Sequence, residues 1–221
     1  MINILLSITS VDDVDIINTI RHYLINKKRV LILLYSFFQA HTPNEDKYNE
    51  YYSSSSEHHN KVVTAFKGFG MNEDSLIFID YYKHTSSQII SYIKTSDVIY
   101  FPGGSPDEMM NRIHDKGLYE ELSKFEGVVI GSSAGTMIQF DEFMIIPDDD
   151  YNKPCKYKGL GYIKNYYVEV HYSGSRLEKR YINKSSETKN FLMIPNNGMV
   201  VFEDNRIVKS INSSIKLKKE P

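Results

Sequence analysis

At 221 residues, 41% hydrophobic and 24% charged, the chain is long enough to bury a sizeable core and has no Pro/Gly/Ser-rich linker, so one domain spanning 1–221 is expected. A formal net charge of −2 predicts neither a nucleic-acid footprint nor a basic membrane patch, which points to a small partner and leaves the oligomeric state open. The single cysteine, Cys155, excludes an internal disulfide and suits a reducing cytoplasm, and the apolar start Met1–Ile8, with no basic residue before Asp12 and Asp13, does not read as a signal peptide.

Apolar strand-like runs alternate with segments of helical period, the pattern of a mostly parallel sheet covered by helices. The strands are expected at Asn3–Ser7, Val30–Phe37, Leu76–Tyr81, Val98–Phe101 and Val128–Gly131, several apolar throughout, as strands buried on both faces are. The longest apolar stretch, Val30–Ala40, falls short of the roughly 20 residues of a membrane helix. Helices are expected at Val14–Lys27, where Val14, Ile17, Ile20 and Leu24 share a face, at Glu57–Phe69, at Ser87–Lys94, and over Pro106–Phe125 with a break near Gly117. The polar stretch His41–Ser56, which ends in four consecutive serines, reads as a mobile surface loop. Beyond Gly135 the pattern loosens into a short helix, a polar stretch from Asp148 to Lys158, a strand Tyr166–Tyr172 and a helix starting near Ser175. Met199–Glu203 and Arg206–Ile211, joined by Asp204-Asn205, read as a C-terminal β-hairpin.

The sharpest local signal is Gly131-Ser132-Ser133-Ala134-Gly135, a G-x-S-x-G string directly after the strand-like Val128-Val129-Ile130 and before a helix-compatible run. In that setting a tight strand-to-helix turn exposes the hydroxyl of Ser133, small neighbours let the backbone fold sharply, and the helix N-terminus favours developing negative charge. A serine nucleophile needs a base. His22, His41, His58, His59, His84 and His114 all precede Ser133, and His171, which ends a strand-like run, is the only histidine after it. A second glycine pair, Gly103-Gly104, follows Phe101-Pro102 at a strand end, where N–H groups near Gly104 and Ala134 can hold an oxyanion. No metal-spaced cluster is present, since His58 and His59 are adjacent and lack partners at helical spacing, and the chemistry needs no metal or organic cofactor.

Together, Phe101-x-Gly103-Gly104, the turn at Ser133 and the following His171 resemble, in order and spacing, peptidase family S51, which contains dipeptidase E and the cyanophycinases. The resemblance runs from the first strand through Gly198. It implies a flavodoxin-like α/β sandwich close to class I glutamine amidotransferases, with serine in place of cysteine. It also implies a serine peptidase that cleaves short peptides after an N-terminal aspartate, whose carboxylate is held by a basic residue downstream of the histidine. Arg176 and Arg180, spaced i and i+4, are the candidates for that role, as a guanidinium fork suits a carboxylate.

Two positions depart from the family pattern. Ser105 follows Gly104 where the family loop has asparagine, and Asn196, in Ile194-Pro195-Asn196-Asn197, stands where dipeptidase E has the glutamate that orients its histidine. Asparagine can orient a histidine but stabilises an imidazolium less than a carboxylate does. Asp148 is a second candidate for the orienting role. Rival readings are a silent small-molecule-binding member of the same fold and an α/β-hydrolase esterase. The esterase normally has its histidine close to the C-terminus, whereas 50 residues follow His171.

Overall fold

The computed structural model describes residues 1–218; residues 219–221, the end of the expected domain, lie outside the described residues. In chain order the elements begin with β1 (Ile2–Leu6), α1 (Val14–Leu24), β2 (Val30–Leu33), α2 (Glu45–Tyr52), α3 (Glu57–Gly68), β3 (Leu76–Ile79), α4 (Ser86–Thr95), β4 (Val98–Phe101), α5 (Pro106–Asp115), α6 (Tyr119–Ser123) and β5 (Val128–Ser132). They continue with α7 (Ala134–Met137), β6 (Glu142–Ile145), β7 (Cys155–Lys158), β8 (Tyr166–Val170), α8 (Arg176–Ser185), β9 (Asn190–Ile194), β10 (Met199–Glu203), β11 (Arg206–Ile211) and β12 (Ser214–Lys216).

The central sheet has seven strands in the order β11-β10-β1-β5-β4-β2-β3. β1 to β5 pair in parallel, and β10 and β11 extend the edge antiparallel. The run β3-β2-β4-β5 takes the first four places of a flavodoxin-like order, and β1 fills the fifth. Alternation along each strand divides the core in two. Ile4, Ile32, Tyr100 and Ile130 face α1 and α3, where Ile16, Ile20, Val62 and Phe66 cover them. Leu5, Leu31, Leu33, Ile99 and Val129 face α4, α5 and α6, where Ile89, Met109, Ile113 and Leu122 cover them. Both faces are therefore apolar, as the sequence runs require.

Behind this sheet lie a three-stranded sheet, β12-β9-β8, whose β8 and β9 are parallel, and the antiparallel pair β6-β7. β6 and β7 flank the polar stretch at Asp148, which is how a segment with little apolar pattern comes to be held beside the strand ends. The C-terminal hairpin stands where the sequence puts it, with Asp204 and Asn205 at φ 46° and 63° in its tight turn.

Several elements differ from the sequence reading. The stretch 41–56 is not a plain loop: Asn44 caps α2 through the Lys47 N–H, and Tyr48 and Tyr52 are buried against Phe37. The expected strand Val30–Phe37 ends at Leu33, because the buried Arg112 takes the carbonyls of Tyr35 and Phe37 and its guanidinium lies 3.3 Å from the centroid of the Phe37 ring. In α1 the buried face is Ile16, Ile20 and Leu24, which leaves Val14 66% exposed. The expected break near Gly117 is real: Gly117 has φ +65° and separates α5 from α6. No helix among the described residues is long and apolar enough to cross a membrane.

Candidate active site

The carboxyl ends of β1, β5, β4 and β2 converge on one edge of the sheet, where ligands of open α/β sheets bind. β5 ends at Ser132, and Ser133 turns the chain into α7 with φ 48° and ψ −115°, a conformation that β-carbon-bearing residues avoid. The small neighbours have steric reasons. A Cβ on Gly131 would stand 2.2 Å from the Gly135 carbonyl oxygen, and one on Gly135 would stand 1.9 Å from that of Phe101. The turn is anchored to β1, since Ser133 N–H donates to Leu6 O at 3.0 Å and the Thr136 hydroxyl accepts the Leu6 N–H while reaching the carbonyls of Leu6 and Gly131.

His171 follows β8, with φ 56°. Its Nε2 is 2.9 Å from Ser133 Oγ and its Nδ1 is 2.6 Å from Asn196 Oδ1. With Nδ1–H donated to the amide oxygen, Nε2 presents its lone pair to the serine hydroxyl, the tautomer a general base requires. Asn196 therefore occupies the orienting position. Asp148 does not: it lies on the cavity wall and its Oδ1 accepts the N–H groups of Asp150 and Tyr151, which shape its own turn.

The sequence reading missed the residue that brings these pieces together. The buried Ser7, one position past β1, donates from Oγ to Ile194 O at 2.7 Å and accepts the His171 N–H at 3.0 Å. One hydroxyl thus ties the end of the central sheet to the ends of β8 and β9, the strands that deliver His171 and Asn196. Its signal was position, the carboxyl end of the first parallel strand.

Gly104 sits at φ +139°, and a Cβ there would fall 2.0 Å from the Ser36 carbonyl oxygen, so the loop after β4 needs glycine. Ser36 holds this loop from both sides: its Oγ donates to Gly103 O at 2.6 Å and its carbonyl accepts the Ser105 N–H at 2.7 Å. A Cβ on Gly103 would come 3.3 Å from the Ser133 Cβ, which puts the loop directly against Ser133. Ser105, at the departure from the family loop, is buried. It donates to Asp107 at 2.7 Å and lies 2.9 Å from the Tyr151 hydroxyl, so its side chain braces the Asp148–Tyr151 segment and does not face the cavity.

Ser133 and His171 open into a cavity of about 450 Å³. Its walls are apolar at Met137, Ile145, Ile146, Val170 and Leu177, and its acidic groups are Asp148, Asp150, Glu169 and Glu178, beside the hydroxyls of Tyr151 and Ser175. Arg176 and Arg180, expected to hold a substrate carboxylate, are exposed on α8 and are not among the residues that line it. In α8, the first turn directs Leu177 and Glu178 to the cavity, and Glu178 is fixed there by a capping box with Ser175 and by Ser173. Glu169, half-buried on β8, was also missed, although its place two residues before His171 in an alternating strand was a signal. Burial first, then the charges of Glu178 and Asp148, push its carboxyl up to about 8.

A sharp serine turn on a mostly parallel α/β sheet, faced by a histidine from a second sheet and a glycine loop, is an arrangement that can serve acyl-transfer chemistry. Residues 51–210, most of the chain, match the model of peptidase family S51. The chain belongs to that family, and it is a peptidase by membership. The structure superposes on that of a candidate peptidase E from Listeria monocytogenes EGD-e with a TM-score of 0.63 and 15% identity, over 98% of each chain. It superposes on a peptidase from an acI-B1 actinobacterium with a TM-score of 0.67 and 14% identity, over 99% of this chain and 95% of the other. No curated protein sequence matches the chain. The family match sets aside the α/β-hydrolase esterase.

Proposed function

We propose that the chain is a serine peptidase of short peptides in which Ser133 is the nucleophile, His171 the general base and acid, and Asn196 the residue that orients His171. The observation that carries this reading is the continuous relay Ser133 Oγ–His171 Nε2 at 2.9 Å and His171 Nδ1–Asn196 Oδ1 at 2.6 Å. His171 Nε2 takes the hydroxyl proton as Oγ bonds to the peptide carbonyl carbon. The oxyanion that forms lies against the N–H groups of Gly104 and Ala134, which have no acceptor among the described residues. Collapse breaks the C–N bond, and His171 hands the proton to the leaving amine. Water, deprotonated by the same imidazole, then hydrolyses the acyl-enzyme and returns Ser133 to its hydroxyl form.

No metal or organic cofactor enters these steps. The partner is a small peptide, not a nucleic acid or a membrane, and one cysteine suits a chain that works in the reducing cytoplasm. The resemblance implies aspartyl dipeptides, which are the reference substrates.

The test is covalent labelling with a fluorophosphonate probe, followed by peptide mapping. Modification at Ser133 that is lost in Ser133→Ala, together with dipeptide hydrolysis lost in the same variant, is the expected result. An unlabelled protein with no turnover would make it a silent binding member of the fold, the reading that the neutral Asn196 favours.

A further inference from the structure

The cavity that Ser133 and His171 open into carries its charge in one sign. Asp148 and Asp150 approach from the turn after β6, Glu169 from β8 and Glu178 from α8, and no lysine or arginine lines it among the described residues. His171 is the one other titratable side chain on its wall besides Tyr151. Glu178 and Asp148 take hydrogen bonds from serines and backbone N–H groups, and no cation among the described residues pairs with either. Glu169 has neither a hydrogen-bond partner nor an ion pair among the described residues, yet it stands half-buried among like charges. Such a carboxylate is costly unless a cation reaches it.

The rest of the wall fits one kind of side chain. Met137, Ile145, Ile146 and Val170 offer an apolar sleeve, and the carboxylates stand beside it. Lysine and arginine are built that way, with an aliphatic stem and a cationic head. An aspartate side chain placed here would meet four acidic side chains and no lysine or arginine.

We propose that this cavity selects peptides with a lysine or arginine side chain beside the scissile bond, with Glu169 as the residue that receives the cationic head. The inference rests on the serine-peptidase reading for the position of the scissile bond but on the cavity alone for the charge it prefers. An empty Glu169 holds its proton around neutral pH, since its carboxyl is pushed up to about 8, and an arriving ammonium or guanidinium displaces that proton.

The test uses the dipeptides Lys-Leu, Leu-Lys, Asp-Leu and Leu-Leu, assayed for kcat/KM with the wild-type protein, Glu169→Gln and Asp150→Asn. Either Lys-Leu or Leu-Lys should exceed Leu-Leu at least tenfold and Asp-Leu by more. That ratio over Leu-Leu should fall at least tenfold in Glu169→Gln and less in Asp150→Asn. A preference for Asp-Leu overturns the proposal. So does an equal loss on all four peptides in Glu169→Gln, because Leu-Leu also carries an α-ammonium and a uniform loss would give Glu169 to that group or to folding.

Calorimetry of the same peptides on Ser133→Ala separates the two readings. Binding of a lysine dipeptide that releases a proton near pH 7, measured in two buffers of different ionisation enthalpy, and loses that release in Glu169→Gln, supports the cavity preference even if no peptide is hydrolysed. Tighter binding of Asp-Leu, or lysine binding without proton release, overturns it whatever the turnover.

Discussion

His171 and Asn196 meet across two parallel strands of the smaller sheet, Nδ1 to Oδ1 at 2.6 Å, in the place where a carboxylate would complete a charged triad. The amide oxygen sets the tautomer and direction of the ring but brings no negative charge to the imidazolium that forms when Ser133 loses its proton. Asn196→Glu and Asn196→Asp should therefore raise kcat near neutral pH, because a carboxylate stabilises an imidazolium more than an amide does. Steady-state pH profiles of both variants check this. A fall in kcat with no change in the pH profile would show that the amide geometry matters more than charge.

Ser133→Ala should abolish peptide hydrolysis and leave stability within about 0.5 kcal/mol, because among the described residues the hydroxyl is bonded to His171 alone. His171→Ala should cost as much as the serine variant, and the double variant should be no slower than either, as groups acting in one relay are not additive. Single-turnover assays with urea unfolding as control measure both.

Gly104→Ala is expected to lose activity and to be destabilised by on the order of 2–3 kcal/mol, since its β-carbon would enter the Ser36 carbonyl at a φ that only glycine adopts freely. The more conservative Ser36→Ala removes only the hydroxyl that holds Gly103 O, and should lower kcat more than it raises KM if the loop carries the oxyanion donors. Thermal unfolding and kinetics on the same preparations distinguish the two effects.

Arg176→Ala and Arg180→Ala should change the relative kcat/KM of aspartyl and leucyl dipeptides less than twofold, because both guanidinium groups lie outside the cavity on the exposed side of α8. A selective loss on aspartyl substrates would restore them to the recognition role that the family resemblance implies.

Glu169 also makes stability depend on pH. Its folded carboxyl is raised to about 8, above the ordinary value of 4.5, so the folded state holds a proton that the unfolded chain releases. That contribution is fully present below about pH 4.5 and is lost as pH rises through 8. Compared with wild type, Glu169→Gln should become relatively more stable by on the order of 1–3 kcal/mol between pH 5 and pH 8.5. Urea midpoints at the two pH values measure it, and parallel curves for the two proteins would mean that Glu169 is ionised at neutral pH.

The sequence by itself determined the elements whose signals are local. The central strands are apolar because both faces are covered, the hairpin turn needs residues that tolerate positive φ at Asp204 and Asn205, and G-x-S-x-G after a strand marks a sharp turn at Ser133. Counting histidines singled out His171 and the resemblance singled out Asn196, because order along the chain carries that information, and the structure brings both to Ser133. What only the tertiary structure decided depends on residues far apart in sequence. Ser7 closes the site by bonding to Ile194 and His171, α2 is ordered by burying Tyr48 under Phe37, and β2 stops where Arg112 takes the carbonyls that would have continued it. The charge of the cavity is of this second kind. Helical spacing puts Arg176 and Arg180 on one face of α8, but the packing of its Ile182 against Met144, Tyr167 and Phe191 decides which face meets the cavity, and it is Glu178 that joins Asp148, Asp150 and Glu169 there. A one-dimensional pattern shows which side chains share a face; the direction of that face is settled by the long-range contacts that bury its neighbours.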